Sequence, residues 1–339
     1  MVARKTNRIV ITSPEKLEQV NSANMRLKKD FLQYLKSVKR SPGTIAGYDS
    51  DLNIIFTYIL DELGNKDFAK LSKRDIISFQ NWLVDNGISS ARIRRLKSAI
   101  SSLSNYIEAV LDDDPDFAGY RSIVRKIENP PLVPVREKTV WTDEELQHLL
   151  DVLTEEGKYD RACLAALAMY GGRRKAELCR FKVSDFDEKH VTCNGALYKS
   201  DPILTKGDKY LECFTLKKKF DPYLERWIAY RKENGIESIW LFPKAGEPEE
   251  HIQASTISSW ADSFSAITGK DWYAHSLRHF FVSALSRAGI PDGIVVEIMG
   301  WSSSEMFKVY NDNPKDDRIA MYFKDGEIDT SNTRSIDQI

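Results

Sequence analysis

The sequence predicts a mainly α-helical protein of two domains, with a small antiparallel β-sheet in the second. Three observations carry this reading. Apolar residues recur at three- and four-residue steps from Met25 to Val110 and again beyond Thr142. Between these blocks ENPPLVPVREK, residues 128 to 138, holds three prolines within five residues, so it is extended and reads as a linker. One stretch, about Val191 to Leu216, alternates as strands do, with YLECFTL following a TKGDK turn. At 339 residues the chain is long enough for each domain to have its own core.

Residues 1–24 are polar and are expected to form a flexible N-terminal tail. Helical patterns then run over Met25 to Val38; Ser41 to Leu63, with Ile45, Tyr48, Leu52, Ile55, Phe56 and Ile59 on one face; Ser72 to Asn86; and Ser89 to Val110. Ser72 with Asp75, and Thr142 with Glu145, have the spacing of a capping box. The fourth pattern, SSARIRRLKSAISSLSNYIEAVL, turns Ile93, Leu96, Ile100, Leu103 and Ile107 inward. Arg92, Arg94, Arg95 and Lys97 are the candidates on it for backbone phosphates, beside short Ser98 and Ser102; a solvated face with a few arginines is the other reading. The expected divisions are 25–127 for the helical domain, 128–140 for the linker, 141–325 for the second domain and 326–339 for a C-terminal tail. In the second domain helices are expected to Phe181, strands to Leu216, and helices again from about Pro222.

Net charge is −1, which argues against a basic nucleic-acid coat. Its distribution is uneven: residues 1 to 140 hold 23 Lys/Arg and 17 Asp/Glu (+6), leaving 26 and 33 (−7) for the rest. The positive field thus lies on the N-terminal part, where a phosphate-binding surface would need it. The longest apolar run, Ala162 to Tyr170, falls far short of the roughly 20 residues of a membrane span. The N-terminus lacks the apolar core of a signal peptide, so a cytoplasmic protein without a membrane partner is expected. Cys163, Cys179, Cys193 and Cys213 form no CxxC pair and are read as reduced and structural.

Four clusters in the second domain could carry chemistry. GGRRKAELCRF, residues 171 to 181, puts two arginines after a Gly-Gly break at a helix start, where backbone N–H groups favour an anion; exposed arginines at a helix start are the plain alternative. TKGDK offers Lys206 and Lys209 on a hairpin tip. HSLRHFFVSALSRAGI, residues 275 to 290, reads as an amphipathic helix ending at Gly289, with two of the chain's five histidines. His275 and His279 could bind zinc, but the general-base Glu of HExxH is missing and no third ligand follows, so no metal is expected. A phosphate fits better: Arg278 can donate a fork of two hydrogen bonds, and His275 can donate one or move a proton. GWSSSEMFKVYND, residues 300 to 312, contains Trp301 and Tyr310.

In this order and at these separations the clusters resemble the catalytic domain of the tyrosine recombinases, the phage-integrase family that includes the Cre and Xer recombinases. GGRRKAEL stands where the family has T-G-x-R-x-S-E-L, HSLRH matches H-x-L-R-H, and GWSSSEMFKVY matches the segment ending in the nucleophilic Tyr. SPGTIAGYDSDL and SSARIRRLKSAISSLSNYI resemble the family's helical, SAM-like core-binding domain, so the resemblance covers roughly residues 25 to 312. It implies a two-domain, C-shaped clamp on double-stranded DNA. The family's first arginine lies three before its Glu, which selects Arg174 rather than Arg173, with Glu177 in a supporting role. It further implies Lys206 as the hairpin lysine (Lys209 the runner-up), His275 and Arg278 from the H-x-L-R-H motif, Trp301 where most members have His and Cre has Trp, and Tyr310 as nucleophile. His279 is then a structural residue.

That chemistry suits these residue types. Phosphoryl transfer to a tyrosine passes through pentavalent phosphorus, and two arginines on its non-bridging oxygens supply what a metal otherwise would. A free tyrosine is phenolate only about once in 10³ at pH 7, so it needs a base; His275 is the candidate. A hairpin Lys can protonate the leaving 5′-oxygen, whereas the Trp301 indole only donates a hydrogen bond. The resemblance implies a 3′-phosphotyrosyl intermediate without metal, cofactor or ATP. It also implies a homotetramer on two duplexes, assembled from protomers that are monomeric when free, and residues such as MYFKDGEI could dock on a neighbour. Two other readings stand beside a site-specific recombinase. One is a DNA-binding regulator that keeps the fold without the chemistry, disfavoured by the complete residue set. The other is a type IB topoisomerase, disfavoured by the helical domain and simple linker.

Overall fold

The structure is a computed structural model that describes residues 7–134, 137–205 and 209–314, and the backbone of 323–324 and 327–328. The chain divides into two compact units, one up to Glu137 and one from Lys138.

The first unit is helical: α1 (Pro14–Gln19), α2 (Ser22–Ser37), α3 (Pro42–Glu62), α4 (Lys73–Asp85) and α5 (Ser90–Val110). Each start follows from a capping side chain. Ser13, Asn21, Ser41, Ser72 and Ser89 all accept a hydrogen bond from a backbone N–H in the first turn, and Ser72 with Asp75 completes a capping box. The long helices bury the predicted faces, Leu52, Ile55, Phe56 and Ile59 of α3 against Ile93, Leu96, Ile100, Leu103 and Ile107 of α5.

The expected tail over residues 1–24 is corrected over residues 7–24, residues 1–6 lying outside the described ones. Two helices begin inside it, Val20 is buried, and Ile9, Ile11 and Leu17 pack on the core. The anchor is a long-range one: Asn65 accepts from the Asn21 N–H and donates to the Gln19 carbonyl, which a local reading of sequence does not reveal.

The second unit opens with α6 (Asp143–Glu155), whose Thr142 and Glu145 form the second predicted capping box. Helix α7 (Tyr159–Gly171) is buried all round from Ala162 to Gly171 and lies at the centre of the core. After the single turn α8 (Lys175–Leu178) come the strands β1 (Val191–Thr192), β2 (Leu197–Lys199), β3 (Ile203–Leu204), β4 (Tyr210–Leu211) and β5 (Phe214–Leu216). They form an antiparallel sheet in the order β1-β2-β5 and a hairpin, β3-β4.

Helix α9 (Lys217–Glu233) starts earlier than expected and carries Pro222 inside it. A second hairpin, β6 (Pro243–Lys244) with β7 (Glu247–His251), occupies a stretch expected to be helical. Helices α10 (Ala254–Thr268), α11 (Ala274–Arg287), α12 (Asp292–Met299) and α13 (Glu305–Tyr310) follow, then a short pair β8 (Phe323–Lys324) and β9 (Glu327–Ile328). Among the described residues no helix is long and apolar enough to cross a membrane.

Candidate active site

Three chain segments converge at the C-terminal ends of two helices. Helix α7 ends in Gly172 at φ 62°, and α12 ends in Gly300 at φ 63°, both in the left-handed region that glycine enters without strain. At both a side chain would meet a neighbour as it now stands: a Cβ on Gly172 would sit 2.5 Å from Cδ1 of Phe281, and one on Gly300 would overlap the Leu211 methyls. These tight turns send Arg173 and Arg174 off the first helix and Trp301 off the second. Between them runs α11, almost wholly buried rather than merely amphipathic, because it packs on α7 on one side and on α12 and α13 on the other.

Tyr310, the last residue of α13, is 5% exposed. Its hydroxyl lies 2.9 Å from Nε2 of His275, and its ring stacks on Trp301 with centroids 5.0 Å apart. The Arg278 guanidinium sits 5.4 Å from the Tyr310 ring centroid and 5.2 Å from that of Trp301. Arg278 is fully buried; Nη1 donates to the Gly172 carbonyl and Nη2 reaches toward that of Met299. Two buried donors here have no acceptor among the described residues, Arg278 Nε and Trp301 Nε1. Buried donors are nearly always paired, so these two mark a place prepared for an acceptor.

Arg174 is the arginine turned to solvent, with its side chain 37% exposed. The buried Glu177 holds it, accepting 2.8 Å hydrogen bonds from both Nη1 and the backbone N–H of Arg174. His275 is exposed as a residue, while its ring packs edge-on against Tyr310 and His279 and turns Nε2 inward. Loss of water on its inner side, then the positive neighbours His279, Arg278, Arg174 and Lys138, lower its pKa to about 4. The imidazole is therefore neutral at pH 7, and Nε2 can accept the tyrosine proton. Burial, then Arg173 and Arg174, lowers the Arg278 pKa to about 10, which leaves it charged at neutral pH.

His279 is buried, with Nδ1 3.2 Å from the Tyr310 carbonyl and 3.5 Å from Asp312. A carbonyl only accepts, so this nitrogen carries the proton. Asp312 also pairs with Lys138. Burial pushes the Asp312 carboxyl up, but hydrogen bonds from His279 and Lys138 outweigh it and hold the group below the usual carboxylate range. Neither Lys138 nor Asp312 was legible as a site residue, since they lie in unremarkable polar stretches 174 residues apart.

Lys206 lies outside the described residues; the Lys209 carbonyl accepts from the N–H and hydroxyl of Thr205. The four residues expected to face phosphate on α5 all have internal partners. Arg92 and Arg95 both bind the buried Asp51 at 2.5 and 2.9 Å, Arg94 donates to the Pro130 carbonyl at 2.9 Å, and Lys97 donates to the carbonyls of Ile127 and Glu128. The one grouping of possible metal ligands among the described residues, Asp185, His190 and Asp201, takes local hydrogen bonds: Asp185 accepts from the N–H groups of Lys182 and Asp201.

Residues 139–316 match the model of the phage integrase family. The chain belongs to that family. Residues 29–109 separately match the family's N-terminal SAM-like domain. A recombinase-like protein, YomM, of the SPbeta prophage of Bacillus subtilis strain 168 is 30% identical over 254 residues, 73% of this chain and 72% of that protein. A tyrosine recombinase of Thermosipho africanus is 25% identical over 294 residues, 83% of this chain and 92% of its own length. In fold, this phage integrase family member resembles the XerH site-specific recombinase crystallised with its palindromic difH substrate after cleavage. The TM-score is 0.62 at 18% identity, over 92% of this chain and 88% of that one.

Proposed function

We propose that this phage integrase family member is a site-specific recombinase that cleaves and rejoins double-stranded DNA through a 3′-phosphotyrosyl link to Tyr310. The observation that carries the reading is the 2.9 Å contact between the Tyr310 hydroxyl and a His275 ring that is neutral at pH 7. In the attack, the tyrosine oxygen bonds to the scissile phosphorus while its proton passes to His275 Nε2. Arg174 and Arg278 neutralise the non-bridging oxygens. The unpaired donors Arg278 Nε and Trp301 Nε1 are the hydrogen-bond groups left for those oxygens. The P–O5′ bond breaks and the 5′-oxygen takes a proton from Lys206, the hairpin lysine that the resemblance implies. Rejoining is the reverse: a 5′-hydroxyl from another strand attacks the phosphorus and Tyr310 leaves, so one phosphodiester replaces another without ATP.

The resemblance extends this to a homotetramer joining two duplexes, with free protomers monomeric. Its docking segment beyond Tyr310 falls largely outside the described residues. The decisive test is capture on a nicked DNA substrate that loses its 5′-hydroxyl fragment on cleavage. The wild type should form a denaturant-resistant adduct, and Tyr310→Phe should bind the same DNA and form none. An adduct in Tyr310→Phe would refute the nucleophile assignment.

A further inference from the structure

Arg173 and Arg174 are adjacent, and their environments are opposite. Arg174 faces solvent with a carboxylate partner. Arg173 is 0% exposed and its acceptors are backbone carbonyls: Nε donates to Gly171 at 2.8 Å, and Nη2 to Ile298 at 2.9 Å and Phe214 at 3.3 Å. Its Nη1 has no acceptor among the described residues. Burying a cation without a counter-charge costs several kcal/mol, and an apolar side chain of similar volume would often serve packing as well. What partly offsets that cost is the partial negative charge at the carbonyl ends of α7 and α12.

The two buried arginines share these helix ends. Arg173 takes the carbonyls of Gly171 and Ile298; Arg278 takes Gly172 and approaches Met299. Each therefore spans from the last turn of α7 to the last turn of α12. Arg278 also touches the rings of Trp301 and Tyr310. The hydrogen bonds of Arg173 among the described residues go to Gly171, Phe214 and Ile298 instead, so its link to the reaction runs through the backbone two residues before Gly300. From that point the chain has only the turn at Gly300 before Trp301, and then α13 with Tyr310 at its end.

We infer that Arg173 is a positioning residue, which ties the end of α12 to α7 and β5 and thereby sets the Trp301–Tyr310 segment against His275 and Arg174 of the same chain. This rests on the assignment of Tyr310 as the nucleophile. It predicts a loss in the rate of attack and not in DNA binding, because Arg173 is sealed from solvent while the reacting hydroxyl depends on its placement. A nucleophile misplaced by about 1 Å can cost on the order of 10²-fold in rate.

The test uses the full chain with Arg173→Met, similar in length and uncharged, and Arg173→Lys, which keeps the charge but cannot reach three carbonyls at once. Three quantities are measured: single-turnover cleavage at saturating nicked DNA, DNA affinity, and amide hydrogen exchange over residues 300–310. Arg173→Met should cleave slower by on the order of 10²-fold with unchanged affinity and with faster exchange at 300–310. Arg173→Lys should fall between it and the wild type. Should Arg173→Met fail to fold, the same readings on Arg173→Lys decide.

A wild-type cleavage rate at saturating DNA in the variant would overturn the inference. So would slower cleavage with exchange at 300–310 unchanged, since that is not displacement of the segment. Tyr310→Phe on the same substrate separates the two assignments: an adduct there sinks the nucleophile, whereas no adduct there together with wild-type cleavage by Arg173→Met sinks only the tie.

Discussion

The Tyr310 hydroxyl stands 2.9 Å from His275 Nε2, and the imidazole that faces it is held neutral by partial burial and by the cations around it. The pH dependence of cleavage follows. The value of kcat/KM reports groups of the free enzyme, so its acid limb should lie near the His275 pKa of about 4 rather than near the ordinary 6.5. Cleavage should stay level from neutral pH down through 6.5. An acid limb centred near 6.5 would mean that His275 is not the base.

The same depressed pKa has a consequence for stability, with a definite sign. As pH falls below about 6.5 the unfolded chain binds a proton at this histidine, while the folded chain binds it only near 4. Folding is thus fully favoured above 6.5 and loses stability as pH falls toward 4. Urea titrations across this window should show a smaller slope with pH in His275→Gln; an identical slope would assign the loss to other groups.

Arg174 and Arg278 should each fail in two ways. Each replaced by Ala should slow cleavage by at least about 10², as for loss of an oxyanion donor. Both also serve the fold: Arg278 donates to the Gly172 carbonyl in the core, and Arg174 donates to the buried Glu177 carboxylate. Removal of Arg278 leaves a buried acceptor unpaired, at about 1–3 kcal/mol, and Arg174→Ala strips the buried Glu177 carboxylate of its guanidinium partner, so both variants should melt lower. Glu177→Gln keeps an acceptor for the Arg174 N–H but loses the charge on its guanidinium, and should cleave at a rate between wild type and Arg174→Ala. Wild-type melting of either Ala variant would contradict its part in the fold.

On α5 the sequence offered four cations as equals, and the structure ranks them. Arg95 has the most open side chain of the pair on Asp51, 57% exposed against 29% for Arg92. Arg94 and Lys97 hold the backbone at 127–130. If α5 meets DNA, Arg95→Ala should weaken binding and lower the salt slope by about one, the signature of one phosphate contact. Arg94→Ala should instead speed amide exchange around 127–130 with the salt slope kept. A salt slope that drops for Arg94→Ala and not for Arg95→Ala would reverse the ranking.

What the sequence made legible was local. Apolar spacing found the long helices, and Ser72 with Asp75 and Thr142 with Glu145 marked helix starts that the structure has. The β6–β7 hairpin escaped because EPEEH is polar and mostly exposed, with no alternation to read. Helix α1 escaped because six residues carry little pattern and its anchor, Asn65, lies far along the chain. In the site, residue types and spacing pointed to His275 and Arg278 as a pair for a phosphate, and the resemblance to a family added Arg174 and Tyr310. Arg173 was passed over for its neighbour, since nothing in GGRRK says which arginine turns inward, and the structure buries Arg173 and leaves Arg174 partly exposed.

The two left-handed glycines that shape the site should differ in their tolerance of a methyl group. At both, an L-residue at φ near +60° costs about 1–2 kcal/mol. At Gly172 the new Cβ would also lie 2.5 to 3.0 Å from Cδ1, Cγ and Cβ of Phe281, a core side chain that has nowhere to go. Overpacking of this kind adds about 1–3 kcal/mol. At Gly300 the neighbour is the end of the Leu211 side chain, which is only partly buried and can swing aside. Gly172→Ala should therefore be the more destabilised in urea unfolding, and Gly300→Ala the milder. Gly293, near the start of α12 with nothing within 4 Å, is the control: Gly293→Ala should be neutral or gain up to about 1 kcal/mol from helix propensity. Equal losses at positions 172 and 300 would mean that backbone strain alone governs both, and that the Phe281 contact relaxes at no cost.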